Sequence, residues 1–108
     1  MTVRELTEQA GFRVLSMPDG EREIEGVYAG DLLSWVMGRA SEGQAFVTIM
    51  TNINVLAVAS LLDLSCVILS EDAEAPSEII VSAEEKGINL LKTELPTYET
   101  CLLLGSLL

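Results

Sequence analysis

The chain has 108 residues, of which 49% are hydrophobic and only 5% are aromatic. A chain of this length forms one domain, so we expect a single domain over residues 1–108 whose core is built mainly from aliphatic side chains. The net charge of −11 argues against binding to nucleic acid or to an anionic membrane, because both require clustered Lys and Arg.

The first residues predict a helix followed by a hairpin. Thr2 and Glu5 have the spacing of a capping box, and Gly11 is a typical helix stop, so a helix is expected between them. Two short strands are expected over residues 12–15 and 24–28. The Pro-Asp-Gly chemistry of the segment that joins them is typical of a turn and indicates a hairpin.

The rest of the chain alternates helices and strands. Asp31 is the expected N-cap of a helix over 32–38, and from Ala45 onward the order is β-α-β-α-β-α with short connections. Such alternation predicts an α/β fold with a small, mainly parallel sheet. The expected strands are 45–50, 66–69 and 88–91, and the expected helices are 52–62, 76–86 and 97–107.

Several kinds of catalytic site are missing from the sequence. There is no histidine, which excludes Ser-His-Asp and Cys-His catalysis, and no glycine-rich loop carries the lysine of a phosphate-binding loop. Cys66 and Cys101 lie in apolar runs and are interpreted as buried free thiols rather than as metal ligands. We therefore expect a protein without enzymatic activity, cofactor or metal. The polar start of the chain is no signal peptide, so we expect a cytoplasmic location.

Two turns are the candidate ligand-binding positions. Thr51, Asn52 and Asn54 follow a strand that we expect at the centre of the sheet, and Thr97 and Tyr98 open the last helix. Ligands of open α/β sheets bind beyond the carboxyl ends of the strands. Capping by Asn52 and by Thr97 explains the same residues without any ligand, and both interpretations stay open.

Apolar residues near the C-terminus suggest contact with a second subunit. Leu103, Leu104 and Leu107 belong to a run that is more apolar than one helical face requires, and Trp35 is a typical interface anchor. Burial of these side chains in the chain's own core is the alternative. We expect a homodimer.

The second half of the sequence resembles the DRTGG domain. The resemblance is carried by VTIMTNINVLAVASLLDLSCVILS from Val47 to Ser70, by AEEKGINLLKT from Ala83 to Thr93, and by TYET from Thr97 to Thr100. Gly30–Ser34 resembles the opening of single-domain members, and the likeness covers about residues 28–104. The DRTGG domain is found between paired CBS domains of some pyrophosphatases, and its fold is similar to that of the N-terminal, non-catalytic domain of HPr kinase/phosphorylase.

This resemblance implies a dimerising, regulatory role rather than a reaction. The sequence departs from the family pattern at two points. Thr51-Asn52 stands where the family has Asp-Arg, and Ser70-Glu71-Asp72 stands where the family often has paired glycines. We expect a non-catalytic regulatory or scaffolding module, homodimeric and associated with a metabolic enzyme. The alternative is a sensor of a small metabolite or nucleotide that binds at the two turns.

Overall fold

Five helices and five strands make up the chain, and the computed structural model describes all 108 residues. Gly and Pro separate short apolar segments, which accounts for the short elements and tight connections. The elements in chain order are α1 (Val3–Ala10), β1 (Arg13–Ser16), β2 (Val27–Ala29), α2 (Leu33–Arg39), β3 (Ala45–Thr48), α3 (Ile53–Leu61), β4 (Cys66–Leu69), α4 (Ser77–Glu85), β5 (Leu90–Lys92) and α5 (Thr97–Leu107).

The strands form one sheet in the order β1-β5-β4-β3-β2. The four strands from β2 to β5 run parallel, and β1 is antiparallel to β5. The central pairing aligns Phe46 with Val67 and Val67 with Leu90. The expected α/β class and the mainly parallel sheet are therefore confirmed.

The predicted N-terminal hairpin is wrong. β1 and β2 lie at opposite edges of the sheet, where β1 pairs with β5 and β2 pairs with β3. The turn at Pro18–Glu21 is present, but the connection then continues to the far edge of the sheet instead of returning beside β1. Turn chemistry specifies a local change of direction and leaves the choice of partner strand to long-range packing.

Helices cover both faces of the sheet. Phe46, Val67 and Leu90 point to the layer of α2, α3 and α4, whereas Val47 and Ile68 point to the layer of α1 and α5. Because β3 and β4 are buried on both faces, they appear in the sequence as continuous apolar runs rather than as alternating patterns.

Two of the predicted helix caps are present and two are not. Thr2 and Glu5 form the capping box of α1, and the Asn52 side chain accepts the backbone N–H of Asn54 at the start of α3. Asp31 is not a cap, because α2 begins one residue later, after Leu32, without a side-chain hydrogen bond. Thr97 is not a cap either, because it is the first residue of α5 itself.

The two cysteines are free thiols. Cys66 is buried, Cys101 is partly buried, and the chain contains no disulfide. Burial raises the pKa of the Cys66 thiol to about 12, and partial burial also raises that of Cys101.

No helix has both the length and the apolar character needed to cross a bilayer.

Candidate functional site

A cleft of about 280 Å³ lies at the carboxyl edge of the sheet. The ends of β2 and β3 form two of its walls, and the first residue of α5 closes the third. This is the edge at which parallel α/β sheets bind their ligands, because strand ends and helix starts meet there. The edge cleft, as we call it, is lined by Ala29, Gly30, Asp31, Val47, Thr48, Ile49 and Thr97.

The start of α3 is closed by its own residues. The Asn52 side-chain oxygen accepts the Asn54 N–H at 2.9 Å, and the Asn52 carbonyl accepts the Val55 N–H at 3.2 Å. None of Thr51, Asn52 and Asn54 lines the edge cleft. Asn52 is therefore used as a helix cap, the structural alternative given for this turn.

The start of α5 is closed by a carboxylate from another loop. Glu71, in the β4–α4 connection, accepts the Thr97 N–H at 2.8 Å. The Thr97 hydroxyl also lies 2.7 Å from the hydroxyl of Ser70. A negative charge at the positive end of the helix dipole stabilises the helix, and here it occupies the position that a bound anion would take.

The β4–α4 loop has an unusual backbone at the positions where the resemblance placed paired glycines. Glu71 and Asp72 have φ angles of +61° and +54°, in the left-handed region that favours glycine. Backbone hydrogen bonds to Leu95 and Thr93 hold both residues in place. The backbone at this pair therefore has a glycine-like conformation although the side chains are acidic.

The structure brings together only part of the predicted ligand site. Thr97 lines the edge cleft, whereas Tyr98 does not and is 71% exposed. Asn54 lies instead in a separate apolar groove between α2 and α3. Sequence reasoning missed Gly30 and Asp31 as lining residues, because their signals were those of a strand end, of a helix cap and of the opening that resembles single-domain members.

No basic residue lines the edge cleft. Arg4, Arg22 and Lys92 form ion pairs elsewhere in the chain, and the Arg39 guanidinium lies 3.8 Å from the centre of the Trp35 ring. The pKa of Lys92 is raised mainly by its hydrogen bond to Glu74. The electrostatic character of the cleft is therefore set by Asp31.

Several exposed apolar side chains lie on α2 and α3. α3 contains no charged residue, and Leu61 at its end is 70% exposed. Trp35 on α2 is 54% exposed. Between the helices is a groove of about 420 Å³, the α2–α3 groove, which is lined by Leu33, Ser34, Met37, Asn54, Ala57, Val58 and Leu61.

The predicted interface residues of the C-terminal helix are largely covered by the chain itself. Leu104 is fully buried in the core beneath α5, so its assignment to a surface between subunits is wrong. Leu103 and Leu107 are partly buried against the same core, and the exposed leucine is Leu102. α5 packs on β2 and β3, which turns most of its apolar run inward.

No group of three or more potential ligand side chains is close enough to hold a metal ion. Every buried polar side-chain atom has a hydrogen-bond partner within the chain. The edge cleft lies where parallel sheets bind ligands, and the α2–α3 groove is mainly apolar, so these two are the candidate features.

Comparison with known proteins identifies the fold. No family model matches the chain, and no curated protein is similar to it. A solved structure, the CBS and DRTGG domains of the regulatory region of Clostridium perfringens pyrophosphatase complexed with the activator diadenosine tetraphosphate, has a TM-score of 0.73 at 15% sequence identity. The match covers 94% of this chain and 45% of that one, so the chain spans less than half of that structure. The chain thus has a DRTGG-like fold, as the resemblance implied.

Proposed function

We propose that this chain, with its DRTGG-like fold, is a non-catalytic regulatory module that forms a homodimer and acts beside a metabolic enzyme in the cytoplasm. The observation that carries the proposed homodimer is the surface around the α2–α3 groove, where Arg39 is the one charged residue of the two helices. The fold likeness to part of a pyrophosphatase regulatory region and the lack of histidine and of a phosphate loop support a regulatory rather than a catalytic role.

The charge distribution favours a second copy at the α2–α3 groove. With a net charge of −11, two copies repel each other over most of their surfaces. α2 and α3 carry a single charged residue between them, Arg39, and its guanidinium stacks on Trp35. Two copies therefore meet with least repulsion through these helices, and their contact removes apolar side chains such as Leu61 from water.

Analytical ultracentrifugation of matched variants tests the dimer. Ala57 is exposed in the groove, and Ala57→Glu places a charge at the centre of the proposed contact. Val81→Glu is the control, because Val81 is 56% exposed on α4, away from the groove. We expect wild type and Val81→Glu to be dimers and Ala57→Glu to be a folded monomer by circular dichroism. A wild-type monomer at micromolar concentration would contradict the proposal.

The second candidate function is the sensing of a small metabolite or nucleotide, and the edge cleft favours it. The structural neighbour was crystallised with a nucleotide activator, and the cleft here has the volume of a small organic molecule. A ligand that binds only the folded state raises the melting temperature. A thermal-shift screen of nucleotides and other metabolites tests this function, and the absence of any stabilisation would exclude it.

A further inference from the structure

We infer that the edge cleft binds a small organic cation, such as an aliphatic amine, and not a phosphate. This inference rests on the second candidate function, since it specifies the chemistry of a ligand at that site. It combines three features of the cleft: an unpaired carboxylate at its rim, apolar walls, and the start of α5, which Glu71 already closes.

Asp31 is the carboxylate that is free to meet a ligand. It caps no helix, because α2 begins after Leu32, and it takes part in no ion pair or side-chain hydrogen bond of the chain. An ammonium group at this position gains a charge-assisted hydrogen bond and an opposite charge. The acidic chain as a whole also raises the local concentration of cations.

The other walls of the cleft suit the carbon chain of an amine. Ala29 and Ile49, which are both exposed, supply apolar surface, and Thr97 lines the cleft on the side formed by α5. The volume of about 280 Å³ is that of a small molecule rather than of a dinucleotide. A short aliphatic amine satisfies both the carboxylate and the apolar surface.

An anion is disfavoured at the same place. Phosphates bind where backbone N–H groups of a helix start point at them and where Arg or Lys is at hand. The Thr97 N–H is already bound to Glu71, and no basic residue lines the cleft. A phosphate here would meet the charges of both Asp31 and Glu71.

An amide-detected NMR titration tests the inference, with putrescine as the cationic probe, butanediol as its uncharged counterpart and AMP as the anionic probe. We expect putrescine to give saturable shifts at Ala29, Gly30 and Asp31, with much weaker binding of butanediol and none of AMP. Asp31→Asn should weaken putrescine binding by about tenfold, the factor expected when one charge-assisted hydrogen bond is lost. Ala29→Leu, which fills the cleft at an exposed position, should abolish it.

Glu85→Gln is the matched control, because Glu85 is an exposed carboxylate outside the cleft. If Glu85→Gln weakens binding as much as Asp31→Asn, putrescine binds the acidic surface in general and the inference is overturned. If AMP shifts the same amides and putrescine does not, the ligand class is wrong while the sensing function stands. If none of the probes shifts these amides, the cleft is not an amine site, and the thermal-shift screen then decides the sensing function separately.

Discussion

Asn89 connects segments that are far apart in the sequence. It is 2% exposed, and its amide nitrogen donates to the carbonyls of Asp19 and Ser65 at 2.8 and 3.0 Å. Its side-chain oxygen accepts the Asp19 N–H at 3.0 Å. One side chain thus fixes the turn after β1 to the starts of β4 and β5, which lie in the middle of the sheet.

Replacement of Asn89 by alanine should lower the free energy of unfolding by about 2–3 kcal/mol, because it leaves buried backbone groups without partners. Gln9→Ala is the control, since Gln9 is exposed and its side chain makes no hydrogen bond within the chain. We expect the control to change stability by less than about 0.5 kcal/mol. Urea denaturation of both variants measures the difference, and equal effects would show that the Asn89 contacts are not important for stability.

The buried thiol of Cys66 makes stability depend on pH at the alkaline end. Burial raises its pKa from 9.0 to about 12, so between these values the unfolded chain releases a proton that the folded chain retains. Its contribution to stability is fully present below pH 9 and is lost as the pH rises toward about 12. Between these pH values the Cys66 thiol alone lowers the free energy of unfolding by up to about 1.4 kcal/mol per pH unit.

Denaturation of wild type, Cys66→Ala and Cys101→Ala across this alkaline range tests the assignment. Cys66→Ala should have a shallower decline in unfolding free energy than wild type, whatever its absolute stability. Cys101→Ala should stay closer to wild type, because Cys101 is only partly buried. Parallel slopes for wild type and Cys66→Ala would mean that other groups cause the alkaline loss of stability.

At the scale of elements, the β4–α4 loop holds the start of α5. Glu71 supplies the carboxylate that accepts the Thr97 N–H, and it does so from a left-handed backbone conformation with φ of +61°. For residues other than glycine this conformation costs about 1–2 kcal/mol. The stabilisation from the cap and the cost of the conformation therefore oppose each other at a single residue.

Two substitutions of Glu71 separate these effects. Glu71→Ala removes the cap and keeps the backbone cost, so it should lower the free energy of unfolding by about 1 kcal/mol. Glu71→Gly removes both, so it should be more stable than Glu71→Ala by about 1 kcal/mol. Glu94→Ala is the control, because Glu94 is exposed and its side chain makes no hydrogen bond within the chain. Thermal denaturation measures the stability of all three variants. If the glycine variant is no more stable than the alanine variant, the backbone at this position is not strained.

The sequence predicted elements better than their partners. Capping chemistry located α1 and α3 correctly, because Thr2 and Asn52 bond to groups within the next few residues. The hairpin failed because the partner of β1 is β5, near the other end of the chain. The cap of α5 was missed for the same reason, since Glu71 reaches Thr97 from a different loop.

For the candidate site, the sequence predicted the sheet edge and only one of the lining residues. The rule that ligands bind beyond the carboxyl ends of parallel strands pointed to the side of the sheet on which the cleft lies, and Thr97 does line the cleft. Which strand ends form the walls depends on the path of α5 across β2 and β3, a packing choice without a local signal. Asp31 was therefore interpreted as a cap.

At the scale of the whole molecule, the net charge of −11 opposes association while the α2–α3 groove favours it. Salt separates these two forces. Raising NaCl from about 0.01 M to about 1 M shortens the Debye length from about 30 Å to about 3 Å, which screens the repulsion and leaves apolar contact in place. The dissociation constant of the proposed dimer should therefore fall by about tenfold or more over this range.

Sedimentation equilibrium across the salt series measures how the dissociation constant depends on salt. Ala57→Glu is the control for general salting-out, because this variant should remain a monomer at every salt concentration. A dissociation constant that rises with salt would contradict an apolar interface, because ion pairs between copies weaken as charges are screened. The contact would then have to place one of the free cations, such as Arg13 or Lys86, against the acidic surface of the second copy.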